Sequence, residues 1–329
     1  MKKHGQKAKV LIIHQGALGD FVATFPVLAL LRNHFRFIDA LCQNQLGKLA
    51  CYLKVTDRHF SIDSAIFSTL YSDHVDQQVA DLFRPYDEII VFSFSDKLER
   101  TIQNITGQKV QRIPPRAKAD EKVHIQRHLL SHITKSRLVG HRTGKKYASL
   151  LRFNPDGRCD LERVIIHPGS GSKKKCWPLA NFIQVEQDLK SIGMKPEFLL
   201  GPAEYFLKNR LDNADGRLVQ VVSDLCQVAD LLKTAGGFIG NDSGISHLAG
   251  FLNIPAAVVF GPSDPVRWKP AGQAVSVLRP ELDCQPCFET DPGHDCRTLE
   301  CLHGTTPDRV IREFLKMHAR LRAPGKCFS

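Results

Sequence analysis

Short runs of consecutive apolar residues, each ending in a glycine-containing polar turn and followed by a stretch of helical periodicity, recur along the whole chain. Residues 9–14 form the first run. The turn Gly16-Ala17-Leu18-Gly19-Asp20 follows, and apolar side chains then recur at helical spacing up to Leu31, with Pro26 near the first turns of the predicted helix. Residues 37–42 and 88–94 predict two further strands. Runs that are apolar throughout, rather than alternating, suit strands covered on both faces, as in a parallel sheet flanked by helices.

The second half restarts the pattern. Residues 164–167 predict a strand, Pro168-Gly169-Ser170-Gly171-Ser172 and a lysine run follow, and Trp177-Pro178 opens a helix. Residues 197–200 and 218–222 predict strands, and Asp224 caps a helix after the second of them. An apolar run ending at Ile239 and another at 256–260 flank the turn Gly240-Asn241-Asp242-Ser243-Gly244-Ile245-Ser246-His247. Thr306-Pro307 begins a closing helix over 308–320. The fold class is therefore α/β, with two doubly wound, Rossmann-like domains. Their boundary is expected in the turn-rich, apolar-poor stretch 152–163, giving a first domain of residues 1–155 and a second of 156–329, with the last helix a candidate to pack back on the first. Open α/β sheets bind ligands at the carboxyl ends of their strands, so two such domains facing each other leave a central cleft for ligands.

A length of 329 residues accommodates two domains, and 43% hydrophobic with 24% charged residues is ordinary globular usage. The longest apolar stretch, residues 22–31, is interrupted by Thr24 and Pro26, far from a membrane span. The basic start leads into only four apolar residues, 10–13, which is too short for a signal peptide, so a cytoplasmic location is expected. A net charge of +11 points toward an anionic partner: nucleic acid, an acidic lipid surface or a phosphorylated substrate. The basic residues are dispersed without aromatic interleaving, which argues against nucleic acid.

Six of the ten cysteines are scattered singly, as buried thiols are in a reducing compartment. The other four, Cys284, Cys287, Cys296 and Cys301, cluster with spacings that leave a structural zinc, packed thiols and redox pairs all open. His124, His128 and His132 recur at i, i+4 and i+8 of a helix predicted over 123–138. Without an accompanying carboxylate or cysteine they read as a solvated or cleft-facing stripe rather than a metal site.

Chemistry concentrates in two turns. The second, around Ser243, has glycines that let backbone approach a ligand, a hydroxyl that can cap a helix, and the exposed N–H groups of a helix start, a combination that suits a phosphate and equally an ordinary capped turn of an α/β sheet. The first, Gly16 to Asp20, lacks the G-x-G-x-x-G fingerprint, and no other segment supplies it, which excludes a dinucleotide-dependent dehydrogenase.

Gly16-x-x-Gly19-Asp20, His167-Pro168-Gly169 with Lys175-Cys176-Trp177-Pro178, Gly201-Pro202-Ala203-Glu204, Gly240-Asn241-Asp242-Ser243-Gly244-x-Ser246-His247, Phe260-Gly261-Pro262-Ser263-Asp264-Pro265 with Arg267-Trp268, and the late cysteines together resemble the ADP-heptose:lipopolysaccharide heptosyltransferases, glycosyltransferase family nine. The likeness runs from Val10 to about Leu315, with nothing alignable over 54–115. It implies a GT-B fold, a sugar nucleotide held by the second domain, an acceptor held by the first, and inverting transfer without metal or other cofactor. Under it Asp20 is the general base, although an N-cap role for Asp20 is the alternative that its position after the turn allows. Lys175 meets the diphosphate, with Lys173 and Lys174 as solvated neighbours, and Ser243, the N–H groups around Gly244, and His247 complete the anion site. Many members carry threonine at Ser243, and serine keeps the hydroxyl. Glu204 is placed to accept hydrogen bonds from ribose hydroxyls. Asp242 would repel a diphosphate, so orienting the loop, receiving a sugar hydroxyl and holding His247 stay open for it. The chain has no Asp-x-Asp pair, in keeping with a mechanism in which lysine and helix dipole replace Mg²⁺. The implied partners are an ADP-sugar donor and a lipopolysaccharide inner-core acceptor, met by a monomer that touches the cytoplasmic face of the inner membrane peripherally. The competing reading, a basic nucleic-acid-binding or zinc-assembled interaction protein on an α/β scaffold, leaves the two glycine-acid turns unexplained.

Overall fold

The computed structural model describes residues 8–72, 74–135, 159–212, 216–291, 293, 296 and 298–322. The chain divides into two compact units, residues 1–117 with 125–150, and residues 118–124 with 151–329.

The first unit is built on a parallel five-stranded sheet of β1 (Ala8–His14), β2 (Phe35–Cys42), β3 (Arg58–Ser61), β4 (Glu88–Phe92) and β5 (Val110–Ile113), in the order β3-β2-β1-β4-β5. Val10 to Ile13 of the central strand are inaccessible to solvent, which is why the apolar run does not alternate. Helix Leu18–Leu31 is buried over most of its circumference, and Pro26 lies inside it. The chain leaves β1 in one direction to build β2 and β3, then returns to the other side of β1 for β4. The switch point therefore falls between β1 and β4, where ligand sites of such sheets form.

The second unit carries six parallel strands, β6 (Asp160–His167), β7 (Lys195–Leu200), β8 (Leu218–Val221), β9 (Ala235–Asn241), β10 (Ala256–Val259) and β11 (Val275–Leu278), ordered β11-β10-β9-β6-β7-β8. Its switch point lies between β6 and β9, whose register aligns His167 with Gly240. Helix Pro307–Arg322 belongs to this unit, with Val310 and Phe314 in the core that also holds Trp177, Phe182 and Phe198.

The two ends of the predicted histidine helix behave differently. Helix Ile125–Lys135 starts two residues later than expected, and residues 136–138 lie outside the described residues. His124 precedes the helix and sits in the second unit, its Nε2 2.9 Å from the Lys269 carbonyl oxygen. His128 places Nε2 2.9 Å from the Pro114 carbonyl oxygen and its ring against His132 at 4.7 Å.

Candidate functional site

At the second switch point Asn241, the last residue of β9, organises the surroundings. Fully buried, it donates from Nδ2 to the Pro168 and Gly169 carbonyls at 2.8 and 3.3 Å and accepts the Trp177 N–H on Oδ1 at 2.9 Å. Ser170 adds a 2.7 Å bond from Oγ to the Asp242 carbonyl. Loop 168–177 is thus laced to the end of β9 by side chains that satisfy its backbone. The indole of Trp177 donates in turn to the Thr305 carbonyl at 3.0 Å, anchoring the loop's far end.

This lacing holds Lys175 over the turn. Its Nζ lies 3.0 Å from Asp242 Oδ2 and 4.5 Å from the centre of the Phe288 ring. Burial is unequal, with the lysine side chain 19% exposed and that of Asp242 5%. Asp242 therefore takes a role beyond the three left open for it, as the counter-ion that fixes the ammonium. Ser243 is the N-cap of helix Gly244–Phe251, its Oγ accepting from the Ser246 N–H at 3.2 Å. Gly244 is the first helical residue, and the opening N–H groups of a helix have no partner within it.

His247, in the same helix, is pushed down to about 4 by burial, only partly opposed by the Asp242 carboxylate. At neutral pH it can offer a hydrogen bond but no positive charge, so the cation of this corner is Lys175. His167, at the end of β6, donates from Nδ1 to the Leu199 carbonyl at 2.9 Å, and burial lowers its pKa.

Glu204 closes the other side of loop 168–173. Its Oε2 accepts the Gly201 N–H at 3.0 Å, and a methyl group at Gly169 would fall 2.4 Å from its Cδ, so only glycine leaves room for the carboxylate there. Beside it opens a cavity of about 340 Å³ bordered by Ser170, Lys173, Glu204, Phe206 and Arg210. That volume is in the range of small-molecule sites.

In the first unit, Asp20 stands in the first turn of helix Leu18–Leu31, whose N-cap is Ala17. The capping position is thus occupied by another residue. A methyl group at Gly16 would meet Asp20 Cβ at 2.9 Å and His14 Cε1 at 2.7 Å, so Gly16 lets the chain pass between the carboxylate and a buried imidazole. Burial pushes His14 down to about 4, and its Nδ1 accepts the Gly16 N–H at 3.1 Å.

His14 and His247 set a pH prediction. Both rings resist protonation in the native protein down to about pH 4, whereas unfolded they titrate near 6.5. Between these values the unfolded chain binds protons that the native chain does not, so the contribution is complete above pH 6.5 and is lost as pH falls toward 4. Each ring is worth at most about 3 kcal/mol over that window. The melting temperature should fall from pH 7 to pH 4.5 and fall less in His247→Gln. An identical fall in parent and variant would contradict the assignment.

The four late cysteines carry no disulfide. Cys284 is exposed and Cys301 buried. Among the described residues no group of three or more His, Cys, Asp or Glu side chains is arranged to hold a metal ion. Two features of the second-unit site were not assigned from sequence. Asn241 carries a signal there, as a polar side chain closing an otherwise apolar strand, whereas Phe288 lies 113 residues beyond Lys175 and carries none.

The model of glycosyltransferase family 9 (heptosyltransferase) matches residues 134–296. The chain is similar to lipooligosaccharide heptosyltransferase 2 of Campylobacter jejuni, 23% identical over 314 residues that cover 91% of this chain and 96% of that one. Its fold is similar to that of E. coli ADP-heptose lps heptosyltransferase II, with a TM-score of 0.70 at 16% identity over 96% of this chain and 100% of the other. It is also similar to the E. coli heptosyltransferase WaaC with ADP-2-deoxy-2-fluoro heptose, TM-score 0.65 at 19% identity, covering 94% of this chain and 99% of that one.

Proposed function

Because the chain belongs to glycosyltransferase family 9 and has the family's GT-B fold of two Rossmann-like domains, we propose that it transfers a heptose from ADP-heptose to a lipopolysaccharide core acceptor, with inversion and without a metal ion. The observation that carries this reading is the Lys175–Asp242 pair set over the start of helix Gly244–Phe251 at the β6/β9 switch point. A lysine already neutralised by a carboxylate at rest exchanges that partner for a diphosphate. Helix N–H groups and the Ser243 hydroxyl add hydrogen bonds to the same anion. Glu204 and the adjoining cavity then take the nucleoside.

In the reaction Asp20 accepts the proton of an acceptor hydroxyl as its oxygen bonds to the anomeric carbon from the face opposite the diphosphate. The bond from that carbon to the phosphate oxygen breaks, and ADP leaves with its negative charge on oxygens faced by Lys175 and the helix start. The enzyme works as a monomer at the cytoplasmic face of the inner membrane. No helix among the described residues is long and apolar enough to cross a membrane, and the surplus of +11 favours contact with anionic lipid and phosphorylated acceptor.

ADP in EDTA-containing buffer should raise the melting temperature, since ligand at about 100 times Kd adds roughly 2.7 kcal/mol to the native state. The purified protein should also consume ADP-heptose only when a heptose-deficient core is present. Stabilisation that EDTA abolishes would refute metal-independent donor binding. Stabilisation by DNA or RNA in place of ADP would favour the nucleic-acid reading.

A further inference from the structure

The corner that holds Lys175 has a further wall, supplied by segment 284–291 after β11. The Asp242 N–H donates to the Val259 carbonyl at the end of β10 at 3.0 Å, so the loop leaving β10 runs beside the Asp242 turn. That loop receives the segment. Its Pro262 carbonyl accepts the Phe288 N–H at 3.1 Å, and its Gly261 carbonyl accepts from Arg279 Nε at 3.2 Å. Arg279 also donates to the Cys284 carbonyl at 3.3 Å, which ties the start of the segment to the same loop. The Asp291 N–H closes a turn on the Cys287 carbonyl at 2.9 Å. Inside that turn Glu289 is clamped, its Oε2 accepting from Arg267 Nε at 2.8 Å and from Trp268 Nε1 at 2.7 Å. The Arg267 side chain is only 4% exposed, so water competes little for this pair. Phe288, half-buried, thus has its own N–H and the next side chain both anchored, and its ring face stands 4.5 Å from the Lys175 ammonium.

An ammonium on a flexible four-carbon stem has many rotamers to lose, and a single contact fixes its distance from one group while leaving it free to swing. Lys175 has two contacts, and they differ in kind. The Asp242 carboxylate neutralises the ammonium and competes with any anion that approaches it. The Phe288 ring attracts the ammonium through the negative face of its quadrupole yet carries no net charge, so it neither repels an anion nor cancels the cation. Of the two partners, only the ring can keep its hold after an anion has displaced the carboxylate. Lys173 supplies the contrast. Its Nζ lies 5.8 Å from the Phe206 ring, which is 60% exposed, whereas the Lys175 side chain is 19% exposed, and attraction between a cation and a ring strengthens as water is removed.

We propose that Phe288 is a positioning residue that acts through Lys175: its ring, pinned by the Pro262 carbonyl and the Glu289 clamp, holds the ammonium at the Asp242 turn while the carboxylate gives way to a diphosphate. This role rests on the heptosyltransferase reading for the identity of the anion, but not for the hold on the lysine.

The test uses the full chain with Phe288→Leu, which keeps apolar bulk and removes the ring, and Phe288→Tyr, which keeps the ring. In lysine-labelled protein without ligand, the Lys175 ε-methylene resonance, identified by its absence in Lys175→Arg, should lie upfield of the other lysines because it sits over a ring face. It should move to the ordinary lysine position in Phe288→Leu and stay upfield in Phe288→Tyr. By calorimetry, ADP Kd should weaken about three- to tenfold in Phe288→Leu and stay within about twofold in Phe288→Tyr. Added to Lys175→Ala, Phe288→Leu should cost less than about twofold more, because its effect runs through the ammonium. Unchanged ADP affinity in Phe288→Leu overturns the proposal. So does an equal loss with and without Lys175, which would make the ring a contact of the nucleotide or a support of the fold, and so does an equal loss in Phe288→Leu and Phe288→Tyr. A parent that binds no ADP removes the donor reading, and the resonance then decides alone. An upfield position lost in Phe288→Leu and kept in Phe288→Tyr upholds the hold on Lys175, and one position shared by all three proteins overturns it.

Discussion

Asp20→Asn is expected to cut heptosyl turnover by about 10²–10⁴ while leaving ADP affinity within about twofold of the parent. Ala17 occupies the N-cap, so the carboxylate is not required there to start the helix. Asparagine keeps the shape and hydrogen-bonding capacity of aspartate but cannot accept the acceptor's proton at neutral pH. A purely structural Asp20 would lose the attraction between a carboxylate and a helix N-terminus, about 0.3–1 kcal/mol, seen as a change in melting temperature with turnover preserved. Single-turnover transfer measured beside ADP calorimetry separates the two roles. A variant within a few-fold of the parent rate removes Asp20 from the chemistry. A variant that loses ADP affinity in parallel with rate points to a disturbed fold.

The buried central strands were legible because their sequences state their environment. Val10 to Ile13 and 256–259 are apolar without interruption, and both lie inside their sheets. The two edge strands of the first sheet were not. Arg58-His59-Phe60-Ser61 and Val110-Gln111-Arg112-Ile113 mix polar and apolar side chains over four residues, too short for either period to register. Half-exposed edges place few demands on their sequence, so register with β2 and β4, rather than local pattern, makes them strands. The same division runs through the candidate site. Turns at strand ends were readable from glycine, serine and acid at fixed offsets. The partners that give those residues their roles were not readable, because Lys175 meets Asp242 across 67 positions and Asn241 meets the 168–169 carbonyls across more than 70. Asp242 shows the consequence. Considered by itself, its charge opposes a diphosphate. Beside Lys175 it is the counter-ion of the ammonium, which under the proposed function it holds in place for the diphosphate.

That pairing makes Lys175→Ala more damaging than the loss of one contact. Removing the ammonium takes away a charge-assisted bond to the diphosphate, typically about 1.5–3 kcal/mol. It also leaves the Asp242 carboxylate, only 5% exposed, without its cation beside an incoming anion, which adds an uncompensated charge to the loss. Donor affinity should therefore fall by about 10²-fold or more, whereas Lys173→Ala, whose Nζ lies 5.8 Å from the exposed Phe206 ring, should cost less than about threefold. The decisive measurement is the cycle. Asp242→Asn introduced into Lys175→Ala should restore about tenfold of the lost affinity, because it removes the repulsion without returning the cation. If Asp242→Asn weakens ADP binding equally in the presence and absence of Lys175, the two residues act independently and the counter-ion role fails. If Lys173→Ala matches Lys175→Ala, the diphosphate is held by diffuse basic charge rather than by the one ammonium that loop 168–177 is laced to present.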